Sequence, residues 1–283
     1  MAFKAGAIYG EAILDTKKWD SGIQKIGKSS LNVAKISAAA FVGAMTVSIA
    51  KANEFQKSMS NVSTVIDTSA ISTQDMTKQL LALDPALGKT TELTDGLYQA
   101  FSAGADTMDE ALQTTVDAAK FAKAALTDSA TAVDVLTTAQ NAYGKELVTT
   151  KQASDIFFTT IKEGKITGEQ LASTIGQSIP LFASTGIEIE QLASGMAAMT
   201  KQGISAAEAT TQLNAIVNSV LKPTEAMSEA IKEYGFESSA AFLESEGLTG
   251  VLQLLEDQTG GNADKISELI PNIRAMKIGR AHV

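Results

Sequence analysis

Apolar residues recur every three to four positions along most of this chain, which is the spacing of one face of an α-helix. Two clear examples are Ala111, Leu112, Val116, Ala119 and Phe121, and then Val133, Leu136, Ala139 and Tyr143. Beyond Asn61 such stretches run for about 12 to 16 residues before a break. The pattern predicts an all-α protein whose residues 61–277 form a bundle of short, Ala-rich helices.

Residues 1–60 have a different pattern and are predicted to form a separate N-terminal arm. Alternation at Ala5, Ala7, Tyr9, Glu11 and Ile13 permits one short strand, although no partner strand is evident. From Thr16 to about Met59 the spacing predicts one long helix, in which Gly22, Gly27 and Gly43 are weak points.

Helix boundaries are marked by two kinds of signal. The spacing of a capping box, in which the first and fourth residues satisfy each other's backbone N–H groups, occurs at Thr107 and Glu110, Thr149 and Gln152, Thr167 and Gln170, and Ser205 and Glu208. Glycines stand where helices should end, because glycine adopts the left-handed conformation at little cost: Gly104, Gly144, Gly164, Gly186, Gly203 and Gly235. Glu169 to Ser173 and Glu190 to Ser194 share the sequence EQLAS, which indicates either stacked helix pairs or two similar helix starts.

Composition narrows the chemistry that the chain can perform. Its 283 residues include no Cys and one His, which excludes disulfides, Cys-based zinc or iron–sulfur sites and a His-rich metal site. Aromatic residues are only 5%, so small side chains are expected to fill the core. We predict no metal ligands, no cofactor and no catalytic residue.

The charge is acidic overall and unevenly distributed. The formal net charge is −9 and the isoelectric point about 4.8, which argues against a specific nucleic-acid partner, because such binding depends on clustered Lys and Arg. Residues 1–60 nevertheless carry a net charge of +4, and the remainder carries −13. This split favours a basic arm and an acidic helical body, although a solvated basic helix face explains the arm equally well.

The apolar segment 36–50 has two interpretations. It is short for a membrane span, which needs about 20 apolar residues, so a buried helix or a helix-pairing seam is favoured. Ala39, Gly43 and Val47 recur every fourth residue and would let two helices approach closely, which favours self-association. Contact with a membrane through 36–50 is the alternative.

Motifs that suggest chemistry have simpler explanations in this chain. Asp84 to Thr90 ends like a phosphate-binding loop, but Leu83 occupies the position of its first glycine, so Pro85 to Thr91 is interpreted as a loop followed by an N-cap. The acidic groups Glu188 with Glu190, and Asp106 with Asp109 and Glu110, stand at predicted helix starts, where the helix dipole favours them. His282 has no partners at the spacing of a catalytic triad, and the chain is predicted not to be an enzyme.

One apolar helix face is a candidate for pairing with other molecules. Leu213, Ile216, Val217 and Val220 share a helix face, which either pairs with another copy or with a partner protein, or fills the core of the chain itself.

Several segments together resemble the N-terminal core region of phage tail tape measure proteins of the lactococcal-phage type. They lie between about Met59 and Phe236, and they are Thr91 to Thr94, Ala103-Gly104, Thr107 to Leu112, Ala132 to Leu136, Gly164, Gln170 to Ala172, Ile179-Pro180, Gly186, Leu192-Ala193, Gly203-Ile204, Leu221 to Pro223 and Tyr234 to Phe236. Leu269 to Arg274 resembles the segment that closes this region in the family.

The resemblance implies a structural protein of the virion that lies in the tail lumen and sets tail length, after assembly in the host cytoplasm. It also implies self-association, association with tail tube, tail assembly chaperone and tail tip proteins, and help in DNA delivery. The alternative is a membrane-active or surface-associated helical module that uses 36–50. Residues 278–283 resemble the translation of a common sequencing adapter, so we expect the natural sequence to be read only to about Lys277.

Overall fold

The computed structural model describes residues 53–66 and 72–270, and all regular secondary structure in these ranges is helical. A helical segment at 53–62 precedes α1 (Thr73–Leu81), a 3₁₀ helix (Pro85–Leu87), α2 (Thr90–Ser102), α3 (Met108–Ala125), α4 (Ser129–Tyr143), α5 (Thr150–Glu163), α6 (Gly168–Ile175), α7 (Ile179–Ser184), α8 (Ile189–Lys201), α9 (Ala206–Leu221), α10 (Glu225–Glu233), α11 (Ser239–Thr259) and α12 (Ala263–Leu269). The predicted all-α fold is confirmed.

The chain divides into two compact units, Met1–Gln56 and Lys57–Val283, and α1 to α12 belong to the second. The predicted strand near the start, most of the helix expected from Thr16 to Met59, and the apolar segment 36–50 lie outside the described residues. So does the segment 278–283. The domain boundary expected at residue 60 stays a prediction.

Two of the four predicted capping boxes are complete. The hydroxyls of Thr149 and Thr167 each accept a hydrogen bond at 3.2 Å from the backbone N–H three residues on. In return, the carboxamide oxygens of Gln152 and Gln170 accept from the N-cap N–H groups at 2.9 and 3.1 Å. These reciprocal bonds satisfy N–H groups that the first turn of a helix leaves free.

At the other two sites only the hydroxyl half of the box forms. Thr107 and Ser205 accept from the N–H groups of Glu110 and Glu208 at 3.2 Å. The carboxylate of Glu110 instead accepts from the N–H of Asp106, one residue earlier, at 3.0 Å. α3 and α9 begin at these sites as predicted, but the carboxylates of Glu110 and Glu208 do not accept from the N-cap N–H groups.

Five of the six glycines expected at helix ends have positive φ: Gly104, Gly144, Gly186, Gly203 and Gly235. Gly164 also ends its helix, as predicted, but its φ is −86°, so the expected left-handed conformation is absent there. A Cβ atom there would lie 2.6 Å from Thr200 Oγ1 and 2.9 Å from the carbonyl oxygen of Thr160. The position therefore needs glycine for lack of space.

The core is built by small side chains that allow helices to pack closely. α3 packs against α2, α4 and α5, and α8 packs against α5, α9 and α11. Ala118, Ala132, Ala139, Ala153 and Ala209 are fully buried between these helices. The small-residue core expected from the composition is thus present, with Phe121, Phe157, Phe182 and Phe242 as its largest fully buried side chains.

The apolar face proposed for pairing with other molecules lies in this core. Leu213, Ile216, Val217 and Val220 are each no more than 2% exposed. They lie on the face of α9 that packs in the bundle, against α6, α8 and α11. The interpretation of these residues as a partner surface is therefore wrong, and the alternative, that they fill the core, holds.

The beginning of α6 lies very close to the end of α3. A Cβ atom added at Gly168 would lie 2.2 Å from the carbonyl oxygen of Ala125 and 2.6 Å from its Cβ. Because backbone atoms cannot move aside as a flexible side chain can, only glycine fits there.

We expect Gly168→Ala to lower the free energy of unfolding by about 1–3 kcal/mol, because the added methyl group must push α6 away from α3. Urea unfolding followed by circular dichroism measures the change. Gly176→Ala is the matched control, since Gly176 has helical φ and ψ and open space around its Cβ position. It should leave stability unchanged or raise it by up to about 1 kcal/mol. Equal effects at the two positions would contradict the packing argument.

Candidate interaction surface

Three grooves lie around the N-terminal half of α8 and share one residue, Glu190. The first, of about 320 Å³, runs between α5 and α8. The second, of about 310 Å³, runs between α8 and α11. The third, of about 400 Å³, lies between the end of α4 and the start of α8. Together they make α8 a ridge bordered by concave surface.

Small side chains form the α8 walls of the first two grooves. The lining residues of α8 include Ala193, Ser194, Gly195, Ala197 and Ala198. No charged residue occurs in α8 between Glu190 and Lys201. Small residues on a helix surface let a second helix approach its backbone closely.

Large apolar side chains lie at the edges of the second and third grooves. Leu147 lines the third groove and is 72% exposed, and Leu252 lines the second and is 42% exposed. Both would lose contact with water if an apolar surface covered them.

Acidic side chains surround this apolar surface. Asp155 and Glu163 line the first groove, and Glu188 lines the third with Glu190. Asp155 is paired with Lys151 at 2.7 Å. Glu188 and Glu190 form no ion pair with any residue in the described ranges. The surface thus combines small apolar contact area with uncompensated negative charge.

Tyr143 fixes the wall of the third groove. Its hydroxyl donates a hydrogen bond to the carbonyl oxygen of Ile187 at 2.9 Å. Burial raises the pKa of Tyr143 above its ordinary value, and the carboxylates of Glu190 and Glu188 raise it further. Tyr143 is therefore a neutral donor that ties the end of α4 to the segment leading into α8.

The acidic groups singled out from the sequence lie at helix starts, as predicted. Glu188 directly precedes α8 and Glu190 is in its first turn. At the start of α3, Lys145 Nζ lies 2.6 Å from Glu110 Oε1 and 3.1 Å from Asp106 Oδ2. Lys145 also donates to the carbonyl oxygen of Gly104 at 3.0 Å, so the cluster joins three segments and presents no paired carboxylates across a cleft.

The segment that resembles the end of a phosphate-binding loop is a turn and a helix start, as interpreted from the sequence. Pro85–Leu87 form the 3₁₀ helix, and Asp84 Oδ1 accepts from the N–H of Ala86 at 2.8 Å. Lys89 Nζ lies 2.9 Å from Glu92 Oε1, and this hydrogen bond lowers the pKa of Glu92. The lysine is thus engaged by its own helix.

No group of three or more His, Asp or Glu side chains in ranges 53–66 and 72–270 is arranged to hold a metal ion. None of the helices described there is long and apolar enough to cross a membrane. His282 lies outside these ranges.

Sequence reasoning missed Asp117, a buried carboxylate in the middle of α3. It is 4% exposed; its Oδ2 accepts from the Thr150 hydroxyl and its Oδ1 from Gln113 Nε2, both at 2.9 Å. It therefore links α3 to the first turn of α5. The signal was an acid within the small apolar run from Val116 to Ala119.

The described part of the chain is thus an all-helical domain with a candidate helix-docking surface. The model of the phage-related minor tail protein family matches residues 85–270, and the chain belongs to this family. It is 26% identical over 281 residues to a protein of Clostridium phage phiCD119 named "Probable tape measure protein", an alignment that covers 94% of this chain and 30% of that relative. It is 24% identical over 195 residues to the "Tape measure protein" of Pneumococcus phage Dp-1, covering 69% of this chain and 17% of that relative. The chain therefore spans less than a third of the length of either, and no solved structure matches it.

We expect Asp117→Ala to lower the free energy of unfolding by about 1–3 kcal/mol, because Thr150 and Gln113 lose their buried acceptor. Asp117→Asn is the matched control. Its carboxamide oxygen can accept from Gln113 while its N–H donates to the Thr150 hydroxyl, so it should lose less. Urea unfolding of the three proteins tests this ordering, which an unchanged midpoint for Asp117→Ala would contradict.

Proposed function

We propose that this chain is part of a tape measure protein, the structural component that sets the length of a phage tail. The observation that carries the proposal is the family match over 85–270, together with two relatives that bear this name. The helical fold supports it, because an α-helix rises about 1.5 Å per residue and so converts chain length into physical length.

The proposal places the protein in the lumen of the tail, after assembly in the host cytoplasm. Its partners would be other copies of itself and the tail tube, tail assembly chaperone and tail tip proteins. It would also assist DNA delivery into the host. The role is mechanical and needs no catalytic residue.

The surface around α8 is the candidate contact for one of these partners. Its small side chains suit close packing of a helix, and the carboxylates of Glu188 and Glu190 suit lysine or arginine on that helix. We therefore propose that a tail protein docks a basic, amphipathic helix against α8.

In a phage that carries this gene, insertion of helix-forming sequence after residue 277 should lengthen the tail in proportion to the insertion. An insertion of about 60 residues adds up to about 90 Å if the added segment forms one helix that lies along the tail axis. Electron microscopy of tails from 30-residue and 60-residue insertions measures the dependence. Intact tails of unchanged length in both phages would contradict the tape measure role.

Filling the grooves should block partner binding without unfolding the domain. Ser194→Trp and Ala198→Trp place a large side chain at exposed positions on α8, where it would hold off an approaching helix. We expect co-purification with tail proteins to fall at least about tenfold, as for a hot-spot contact.

Ala240→Trp is the matched control, because Ala240 is exposed on α11 and lines none of the three grooves. Circular dichroism should show the same helix content for all three variants. Normal co-purification of both α8 variants would rule out docking at α8 while leaving the tape measure role open.

A further inference from the structure

The backbone of α11 is broken at Gly247. This residue has φ 61° and ψ −157°, far from helical values, so the helix consists of two halves, 239–246 and 248–259. Residues other than glycine rarely adopt this backbone conformation. No proline occurs between Ser239 and Thr259, so the sequence itself does not impose the break.

Gln191 of α8 holds the break from outside the helix. Its Oε1 accepts hydrogen bonds from the backbone N–H groups of Leu248 at 2.7 Å and Thr249 at 3.2 Å. These are the first N–H groups of the second half, which have no partner within that half. A side chain 57 residues away in sequence thus supplies the N-cap.

The two copies of the sequence EQLAS place a glutamine at the same position near a helix start, but the two side chains have different partners. Gln170, at the corresponding place in α6, accepts from the N–H of Thr167 at the start of its own helix. Glu188 precedes α8 where Thr167 precedes α6, and its side chain makes no capping bond. The carboxamide of Gln191 is directed to α11 instead.

The glycine and the glutamine depend on each other. A Cβ atom at Gly247 would lie 2.4 Å from Oε1 and 2.6 Å from Nε2 of Gln191. Only glycine therefore provides both the backbone conformation and the space for the carboxamide. Loss of the carboxamide removes the interaction that favours the broken form over a continuous helix.

Apolar residues in the two halves would lie on opposite sides of a continuous helix. Phe242 and Val251 are nine residues apart, which is about two and a half turns. In the broken helix Phe242, Leu243 and Val251 are all fully buried. Straightening would therefore withdraw one half from this core and expose its apolar side chains.

We propose that Gln191 and Gly247 form a conformational latch, which holds α11 as two packed half-helices and, when released, lets residues 239–259 form one continuous helix with Phe242 and Leu243 exposed. The latch is a property of the folded domain and does not depend on the proposed role in tail length. Phe242 also contacts Phe236, with ring centroids 5.3 Å apart, so release separates an aromatic pair.

The distance across α11 tests the latch directly. The chain has no Cys, so Ala240→Cys and Glu256→Cys introduce two exposed sites for spin labels. A continuous helix separates these Cα atoms by about 24 Å, and a broken helix brings them closer. Pulsed electron paramagnetic resonance of the full chain should give a single, shorter distance.

Gln191→Leu should add a population at the longer distance of about 24 Å, and should accelerate amide exchange at Leu248 and Thr249 about tenfold. Gln253→Leu is the matched control, because the Gln253 side chain donates only to Asp257 within the same helix. It should leave both measurements unchanged.

Gly247→Ala should favour the continuous helix more strongly, because alanine disfavours the broken conformation. If this variant fails to fold, Gln191→Leu alone decides. A single short distance in Gln191→Leu overturns the proposal, whether or not exchange at Leu248 and Thr249 becomes faster. Unaltered tail length in the insertion phages would leave the latch untouched.

Discussion

Close approach between helix backbones is the constraint on which this structure depends. The beginning of α6 meets the backbone at the end of α3 with no room for a methyl group at Gly168. At Gly195 of α8 an added Cβ would lie 2.9 Å from Cδ2 of the Leu213 side chain. With few aromatic side chains to fill space between elements, the domain excludes water by bringing helices together over alanine and glycine. Stability then comes from many short contacts, and a single added carbon at such a position moves whole helices.

Short-range signals in the sequence predicted most of the fold. Thr149 and Thr167 cap their helices through residues three positions away, and Gly104 ends α2 with positive φ, because these interactions lie within one or two turns. The Glu110 carboxylate does not complete the capping box with Thr107, and it instead pairs with Lys145 from a loop distant in sequence. Local spacing therefore fixes where a helix starts more reliably than it fixes the partner of each side chain.

Contacts between residues far apart in sequence escaped prediction for the same reason. Nothing near Asp117 indicates that Thr150 will lie beside it, and nothing near Gln191 indicates Leu248. The face of Leu213 and Val217 was compatible with a partner surface as well as with a core, because periodicity shows that a face is apolar without showing what covers it. The candidate surface around α8 could not be predicted at all, since its grooves exist only once α5 and α11 flank that helix.

The two faces of α8 have different surroundings and different residues. Its inner face carries Leu192 and Met196, both fully buried, which anchor it against the bundle. Its outer face carries small uncharged residues where a helix that only faces water would usually carry charged residues, which interact in pairs at i and i+4. In the first turn of α8, Gln191 accepts hydrogen bonds from α11, and the adjacent Glu190 lines all three grooves. The residues that stabilise α11 and those that a partner would contact are therefore neighbours. If the proposed helix docks in the second groove, it touches Leu248 and Thr249 beside the carboxamide, and docking would then be coupled to the break in α11 through the Gln191 side chain.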